Sequence, residues 1–369
     1  MNQRVVIIGA GIVGAALARS LSRDDHHVTV IESGVIGGGA TAAGMGHIPV
    51  MDDSDAQFAL CHYSQKLWEE LAPELPREAE YDHCGTLWVA ADDEEMAEVE
   101  RKRDYFTTRG LPAEVLDAAG LKRHEPNLRP GLPGGLRLVG DRVVYPPVAT
   151  RWMLAQATNR GAALIHDTVL AIGPHHVTCS RGRIDADAII YAGGCGGSSL
   201  IEDLAIRPRK GHLIITDRYP GFVHHQILEL GYLKSAHGSD HDSVAFNVQP
   251  RPTGQLLLGS SRQFGVDHRQ IDGPLLQRMI DRGVAYMPGL ARISAIRAWT
   301  GFRAATPDSL PLVGPHGSIP GLYLATGHEG LGITTAMGTA ELLADALAGR
   351  TSQISPEPYL PTRNLAHHA

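Results

Sequence analysis

The residues with the clearest chemical meaning are three glycines after the first apolar run of the chain. Residues 4–8 form a short, β-branched run, and Gly9, Gly11 and Gly14 follow with the spacing Gly-x-Gly-x-x-Gly. Gly9 allows a tight turn, Gly11 lets a pyrophosphate approach the backbone, and Gly14 lets a helix pack closely on a sheet. This spacing predicts a dinucleotide-binding turn between a strand and a helix.

An acidic residue supports the same interpretation. A second apolar run, residues 28–31, ends in Glu32, eighteen residues after Gly14. A carboxylate at this place can accept hydrogen bonds from a ribose diol, and the N-terminus of the helix between the strands attracts phosphates. The alternative is a glycine-rich turn that binds nothing, but it would not require two strands, a helix and an acid in this order.

Composition excludes several classes of function. The chain has 369 residues, 43% of them hydrophobic, and a net charge of −7. This length allows two domains, and the absence of a basic run argues against nucleic acid and anionic membrane surfaces. No apolar stretch approaches the roughly 20 residues of a membrane span. The chain enters its first strand without a signal-peptide pattern, so we expect a cytoplasmic protein.

The cysteines and histidines do not predict a metal site. None of the four cysteines forms a Cys-x-x-Cys pair, and no His-Glu-x-x-His spacing occurs among the 19 histidines. Buried or unreactive thiols and ordinary loop histidines are therefore the favoured interpretation.

The remaining pattern predicts two kinds of sheet. A buried strand over residues 184–192 ends at Gly193, and parallel sheets place ligands at such carboxyl ends. Residues 210–300 instead alternate in polarity, which indicates an antiparallel sheet in a separate layer. Near the end, a strand over 321–326 precedes a glycine turn, Gly327–Gly332, and a helix over 333–348. The spacing also predicts helices over 54–71, 93–108 and 148–160.

The predicted fold is therefore an α/β domain of separated segments, Rossmann-like, together with an antiparallel-sheet domain. We expect the nucleotide-binding domain to comprise residues 1–85, 141–205 and 305–350, and the interleaved substrate domain to comprise 86–140 and 206–304. The polar, proline-bearing tail, 351–369, is expected to be loosely held.

Four segments resemble the D-amino-acid oxidase superfamily, in particular its glycine oxidase and sarcosine oxidase branch. They are Gly9–Gly14 with Glu32, then 40–46, 301–308 and 327–334. The resemblance implies FAD, bound extended, with its adenine end at Glu32 and its flavin ring in a cleft between the domains. Besides the glycines and Glu32, it implies FAD contacts from Ile12, Val13, Ser33, Ala40, Thr41, Ala43, Gly44, Met45, Val169, Gly327, His328, Gly330, Leu331, Gly332, Ile333 and Thr334.

Arg303 matches the family's arginine that binds the substrate carboxylate. Its fixed, bidentate fork suits that role, although a structural ion pair or a surface arginine is the alternative. The chain also departs from its relatives. Gly330 stands where glycine oxidase has an arginine, and residues 255–263 lack the lysine that the sarcosine oxidase branch uses for oxygen chemistry, though Arg262 is cationic. Oxygen is therefore in doubt as the electron acceptor, and no cysteine is placed to tether the flavin.

Other candidate residues leave alternatives open. His328 could hydrogen-bond the flavin ring or fix its own turn, and Tyr232 could cover the substrate or be a structural tyrosine. His47 could face the flavin or be a loop histidine, and Glu329 could contact a substrate or be solvated. Asn247 lies where glycine oxidase has a tyrosine, so the polarity of the pocket could differ.

The resemblance implies oxidation of a small amino or imino acid to the imine, by hydride transfer from the α-carbon to flavin N5. The form of the last glycine turn is similar to that of heteromeric amine dehydrogenases, which pass electrons to partner subunits. We expect a dehydrogenase acting on D-proline-like or 4-hydroxy-D-proline-like substrates. The alternatives are a glycine or sarcosine oxidase that produces hydrogen peroxide, a noncatalytic flavin-binding subunit, and an NAD-dependent dehydrogenase.

Overall fold

The chain is described from a computed structural model that covers residues 2–231 and 242–365. It divides into two compact units. The first unit is Met1–Ala79, Tyr145–Pro208 and Phe302–Ala369, and the second unit is Glu80–Val144 and Arg209–Gly301. The internal boundaries differ from the expected ones by up to six residues, and the segment expected to form a separate tail, 351–369, belongs to the first unit. One difference matters for function, because Arg303 lies in the first unit and not in the interleaved one.

The elements are as follows. The strands are β1 Arg4–Ile8, β2 His27–Glu32, β3 His47–Ile48, β4 Thr86–Ala90, β5 Ala113–Asp117, β6 Gly134–Leu138, β7 Arg142–Val143, β8 Ala163–His166, β9 Val169–Gly173, β10 His176–Cys179, β11 Gly182–Asp185, β12 Ala188–Tyr191, β13 Arg207–Arg218, β14 Gln226–Glu229, β15 Ser243–Pro250, β16 Gln255–Arg262, β17 Ala295–Ala305, β18 Leu312–Pro315 and β19 Leu322–Thr326. The α-helices are α1 Ile12–Arg23, α2 Ala40–Ala43, α3 Asp55–Leu71, α4 Asp93–Thr108, α5 Ala118–His124, α6 Pro146–Asn159, α7 Gly273–Tyr286 and α8 Gly332–Ala348. Short 3-10 helices cover Ala72–Glu74, Arg77–Ala79, Gly194–Ser199, Pro288–Arg292 and Glu357–Tyr359.

The first unit is built on a six-stranded sheet in the order β18-β19-β12-β1-β2-β8. All neighbours are parallel except the pair β18 and β19. In register, Ile7 of β1 lies opposite Ile190 and Val30. Val5, Val6 and Ile7 are at most 2% exposed, so both faces of this strand are covered, and Val6 belongs to a core that also includes Val169 and Val177 of the three-stranded sheet. Helix α1 packs against both α6 and α8.

The single strand predicted over residues 184–192 is wrong, because this apolar run contains two strands. Residues up to Asp185 pair antiparallel within the three-stranded sheet β11-β10-β9, whereas β12 joins the parallel sheet beside β1. The change occurs at Asp187. Its carboxylate accepts a hydrogen bond from the backbone N–H of Arg4 at 2.8 Å, and its own N–H donates to the Arg4 carbonyl at 2.8 Å. Asp185 and Asp187 are the polar residues of this segment, and they lie at the junction.

The second unit contains an eight-stranded sheet in the order β17-β13-β16-β15-β14-β4-β6-β5. Its neighbours are mainly antiparallel, but β14 and β4 run parallel, with Gln226 opposite Thr86. One face of this sheet buries a core that includes Leu87, Ile227 and Phe246. The predicted fold class, an α/β domain with an antiparallel-sheet domain, is confirmed, with one parallel pair inside the second sheet.

Helix starts agree with the chemistry of their caps. The hydroxyl of Ser54 accepts a hydrogen bond from the Gln57 N–H at 3.1 Å at the start of α3, and Asp92 accepts one from the Glu95 N–H at 2.9 Å at the start of α4. Such side-chain oxygens satisfy backbone donors that have no partner within the helix. Over the described part of the chain, no helix combines the length and the apolar character needed to cross a membrane.

The expectation of a loosely held tail is wrong for the part that the structure describes. Tyr359 is 1% exposed, and its hydroxyl donates to the carbonyl of Ala56 at 2.6 Å. Arg363 forms an ion pair with Asp308 at 2.7 Å. The polar composition that suggested mobility comes from side chains that bind the first unit.

We predict that Tyr359→Phe lowers the free energy of unfolding by about 1 kcal/mol, because the hydrogen bond between this buried tyrosine and the Ala56 carbonyl is lost. Equilibrium urea unfolding followed by fluorescence measures this change. Gln353→Ala is the control, since Gln353 is exposed in the same segment. Equal stability of Tyr359→Phe and the wild type would contradict the packing of the tail.

Candidate active site

Most of the predicted nucleotide-binding residues lie at one edge of the six-stranded sheet. The parallel strands β1, β2, β12 and β19 end at Ile8, Glu32, Tyr191 and Thr326. Parallel neighbours bring their carboxyl ends to the same edge, which is where open α/β sheets bind ligands. The segments that follow these strands, which include the predicted residues Gly9, Ser33, Gly193 and Gly327, therefore begin at this edge.

Two of the three glycines after β1 have no room for a side chain. Gly9 has a φ of 105°, and a Cβ on Gly9 would lie 2.8 Å from the Ala192 carbonyl oxygen. A Cβ on Gly14 would lie 2.0 Å from the Gly9 carbonyl oxygen. Gly11 precedes α1 as its N-cap and provides no side-chain cap. The N-terminus of α1 is thus a backbone cradle of the kind that binds phosphate.

The Glu32 carboxylate is held in place by the backbone around it. One oxygen accepts a hydrogen bond from the Ala10 N–H at 2.8 Å, and the other accepts one from the Gly34 N–H at 2.7 Å. A carboxylate oxygen can accept more than one hydrogen bond, so this group retains acceptor capacity for a diol. The arrangement fits the ribose of a dinucleotide bound along the turn.

The small-residue segment 40–46 links two helix N-termini. The hydroxyl of Thr41 accepts a hydrogen bond from the N–H of Ile12 at 3.0 Å, where α1 begins. A Cβ on Gly44 would lie 2.9 Å from the Cδ1 of Ile333, where α8 begins. Ala40 is exposed, and Ala43 and Met45 are half-buried. The sequence did not indicate that the hydroxyl of Thr41 is a structural acceptor.

The last glycine turn is packed as closely as the first. Gly327 has a φ of 79°, and a Cβ there would lie 2.6 Å from the Cγ2 of Thr306. The Glu329 N–H donates to the Ala304 carbonyl at 2.9 Å. Leu331 is the N-cap of α8 and offers no side-chain hydrogen bond to it. The start of α8 therefore presents backbone N–H groups and a partial positive charge.

Three long-range hydrogen bonds fix the beginning of α8. The indole Nε1 of Trp68, a fully buried side chain, donates to the carbonyls of Ile333 at 3.1 Å and Thr334 at 3.2 Å. The hydroxyl of Thr334 donates to the His47 carbonyl at 3.1 Å. Sequence analysis missed Trp68, because nothing in the local pattern of α3 distinguishes it from an ordinary core residue.

Arg303 lies beside this turn. It is half-buried near the end of β17, and a Cβ on Gly330 would lie 3.8 Å from both its Cδ and its Nε. The bridge between Ala304 and Glu329 holds the two segments together. Glycine at 330 thus adds no side chain of its own next to Arg303. A guanidinium and a helix N-terminus close to each other suit an anionic ligand.

The two candidate histidines are neutral near pH 7. Burial lowers the pKa of His328 to about 4 and that of His47 to about 3. The His328 side chain is 8% exposed, and its Nε2 lies 3.0 Å from the hydroxyl of Thr339 in α8. This contact ties the turn to the helix. A hydrogen bond from His328 to a flavin ring stays a prediction.

The remaining predicted residues have different positions. Val169 begins β9 and belongs to the apolar core of the first unit. Asn247 is half-buried in the second unit, and its side-chain oxygen accepts a hydrogen bond from the amide of Gln226. Tyr232 lies outside the described residues. Among residues 2–231 and 242–365, no three His, Cys, Asp or Glu side chains are grouped to hold a metal ion.

We predict that acid lowers the free energy of unfolding of the protein through His328. The unfolded chain takes up a proton near the ordinary histidine pKa of 6.5, whereas the folded chain resists it until about pH 4. The stability that neutral, buried His328 contributes is therefore fully present above pH 6.5, and it is lost as the pH falls from 6.5 to about 4. At pH 5 the loss is about 2 kcal/mol.

Urea unfolding at pH 7 and pH 5 tests this dependence. His328→Gln should lose less stability than the wild type over the same interval, and His27→Gln, at an exposed histidine, should behave as the wild type does. Identical losses in the wild type and His328→Gln would show that His328 is not buried in its neutral form.

Comparisons with known proteins agree with this geometry. A family model described as "DAO: FAD dependent oxidoreductase" matches residues 4–346. Glycine oxidase from Pseudomonas aeruginosa is 28% identical over 384 residues, covering 99% of this chain and 100% of the relative. D-amino acid dehydrogenase from Cereibacter sphaeroides is 25% identical, with coverage of 95% and 93%. The structure of L-proline dehydrogenase from P. horikoshii is similar with a TM-score of 0.88 and 24% identity, covering 98% of this chain and 97% of that one.

Proposed function

The chain belongs to the DAO family of FAD-dependent oxidoreductases, and from this premise we propose that it oxidises a small amino or imino acid at the α-carbon. The finer proposal is a dehydrogenase for D-proline-like or 4-hydroxy-D-proline-like substrates. The observation that supports this proposal most directly is the position of Arg303 beside the glycine turn that precedes α8. Arg303 is suited to bind a carboxylate, and its neighbour is a turn that we propose contacts the flavin.

Arg303 is the group we propose for the substrate carboxylate. Its guanidinium can donate two parallel hydrogen bonds, and this fork orients a carboxylate more strictly than a lysine can. The proximity of the glycine turn supports this role, since a Cβ on Gly330 would lie in van der Waals contact with the Arg303 side chain, at 3.8 Å. A substrate held by its carboxylate keeps its α-carbon in one orientation, which is much of what a flavin enzyme must provide.

The cofactor supplies the redox chemistry. FAD, when bound, accepts the hydride from the α-carbon of the substrate. The residues of this chain that fit it are the cradle of Gly9, Gly11 and Gly14, the carboxylate of Glu32, and the backbone N–H groups at the start of α8. The α8 N-terminus is suited to stabilise negative charge on a reduced ring.

Two observations bear on the electron acceptor. Residues 255–263 contain no lysine, and a relative of 25% identity is named as a D-amino acid dehydrogenase. These observations support a dehydrogenase that passes electrons to another protein. We propose that this protein is a partner subunit. The second candidate is an oxidase of glycine or sarcosine, which the likeness to a glycine oxidase over 99% of the chain favours.

The deciding experiment is anaerobic flavin reduction by a panel of compounds. D-proline and 4-hydroxy-D-proline should bleach the flavin absorbance of the purified protein faster than glycine or sarcosine. Oxygen uptake in air then separates the two candidates, because an oxidase consumes oxygen in proportion to substrate and a dehydrogenase needs an added acceptor. Preferential reduction by glycine with rapid oxygen uptake would contradict the finer proposal.

We predict that Arg303→Ala lowers kcat/KM about 100-fold, which corresponds to the loss of roughly 3 kcal/mol from charge-assisted hydrogen bonds. The change should appear mainly as a higher KM, with bound flavin unaltered in the absorbance spectrum. The kcat/KM of Arg303→Lys should lie between those of the wild type and Arg303→Ala, because lysine keeps the positive charge but cannot donate two parallel hydrogen bonds.

Arg297→Ala provides the matched control, since Arg297 is an exposed arginine on the same strand, β17. It should behave as the wild type does in both KM and kcat. Unchanged kinetics in Arg303→Ala, or an equal effect in Arg297→Ala, would remove Arg303 from the binding of the carboxylate.

A further inference from the structure

A buried arginine of the C-terminal segment clamps the turn that follows Arg303. The side chain of Arg363 is 10% exposed. Its Nε and Nη2 donate to the two carboxylate oxygens of Asp308 at 2.7 and 2.9 Å. Nη2 also donates to the Leu310 carbonyl at 2.7 Å, and Nη1 donates to the Pro311 carbonyl at 3.0 Å. One guanidinium thus spans three residues of the turn 306–311.

The clamped turn packs directly on the glycine turn of α8. Thr306 is 5% exposed, and its hydroxyl donates to the Leu310 carbonyl at 2.8 Å. Its methyl carbon occupies the place that a side chain at Gly327 would need, 2.6 Å from a Cβ there. An outward displacement of the turn 306–311 would therefore remove a support of Gly327 and shift the end of β17, which carries Arg303.

Electrostatics favours a permanent clamp. Burial alone would raise the pKa of Asp308, but the hydrogen bonds and charge of Arg363 outweigh it and hold this pKa below its ordinary value. The carboxylate is therefore ionised at neutral pH, and the planar guanidinium meets it in the bidentate geometry that Arg provides and Lys does not. Removing one partner would leave the other charge half-buried without its counterion.

We propose that Arg363 is a positioning residue for the oxidation of the substrate: its grip on the turn 306–311 keeps Arg303 and the Gly327–Gly332 turn in fixed relation. The inference rests on the proposed function for the role of Arg303, but the mechanical link between the two turns does not depend on it. The competing explanation is that Arg363 only attaches the C-terminal segment to the first unit.

Tyr359 distinguishes these explanations, because it attaches the same segment at a different place. Its hydroxyl bonds to Ala56 next to the start of α3 and not to the turn 306–311. If Arg363 only anchors the C-terminal segment, substitutions at Arg363 and at Tyr359 should change hydrogen exchange and KM in the same way. A positioning residue should affect substrate binding only at Arg363.

The experiment compares Arg363→Ala, Arg363→Lys, Asp308→Asn and Tyr359→Phe as flavin-loaded proteins. Hydrogen exchange is measured for the backbone amides of 302–312 and 327–335, and KM and kcat are measured with the best reducing compound of the panel. We expect Arg363→Ala and Asp308→Asn to exchange faster in both segments and to raise KM roughly 3- to 30-fold, with a smaller change in kcat. Arg363→Lys should be intermediate, and Tyr359→Phe should change neither quantity.

The inference is overturned if Arg363→Ala and Tyr359→Phe give equal exchange and equal KM at comparable losses of Tm. If Arg363→Ala does not fold, Arg363→Lys and Asp308→Asn decide in the same way, since each retains a hydrogen-bonding group. Failure of the proposed function has a different signature. In that case no amino or imino acid reduces the wild-type flavin, while the exchange of the two turns still shows whether Arg363 holds them together.

Discussion

The close approach of backbone to backbone at the carboxyl edge of the six-stranded sheet is the constraint on which the site depends. A Cβ on Gly14 would come within 2.0 Å of the Gly9 carbonyl oxygen, and one on Gly9 within 2.8 Å of the Ala192 carbonyl oxygen. Because no side chain fits at these two glycines, the chain passes from β1 to α1 within three residues, and the N-terminus of α1 lies at the edge where the strands end. Glu32 is fixed there by the same turn, through its hydrogen bond with Ala10. The backbone at this edge of the sheet is therefore held in one conformation by close packing.

The C-terminal half of the site repeats this design with residues from distant parts of the chain. Gly327 is pressed against Thr306, Gly44 against Ile333, and Trp68 of α3 bonds to the first turn of α8. Each of these contacts joins segments that are far apart in sequence, so the start of α8 is located by packing rather than by a cap of its own. A helix N-terminus held in this way can present its N–H groups to a ligand without rearrangement, which is the condition for electrostatic preorganisation.

Sequence predicted best where the chemistry is local. The glycine spacing with Glu32, and the helices predicted over 54–71 and 93–108, each depend on residues within one or two elements, and the structure has those elements where they were expected. The split of residues 184–192 was missed because the two aspartates in this segment, Asp185 and Asp187, were read as part of one buried strand, although the change of sheet occurs there. The tail was misjudged because a polar composition does not show that Arg363 and Tyr359 find buried acceptors. Trp68 and the hydroxyl of Thr41 act through tertiary contacts, which leave no periodic signal in the sequence.

Arg303 illustrates how the two kinds of information combine. Its motif marks it as a carboxylate ligand by resemblance, but only the structure puts it in the first unit with Gly330 next to its side chain. The arginine and the N-terminus of α8 both carry positive charge, and two positive groups that converge repel each other unless an anion shares the space. A neutral His328 adds no third cation, because burial keeps its pKa at about 4. A carboxylate bound between Arg303 and the start of α8 would reduce this repulsion, and this is the electrostatic argument for the role that we propose for Arg303.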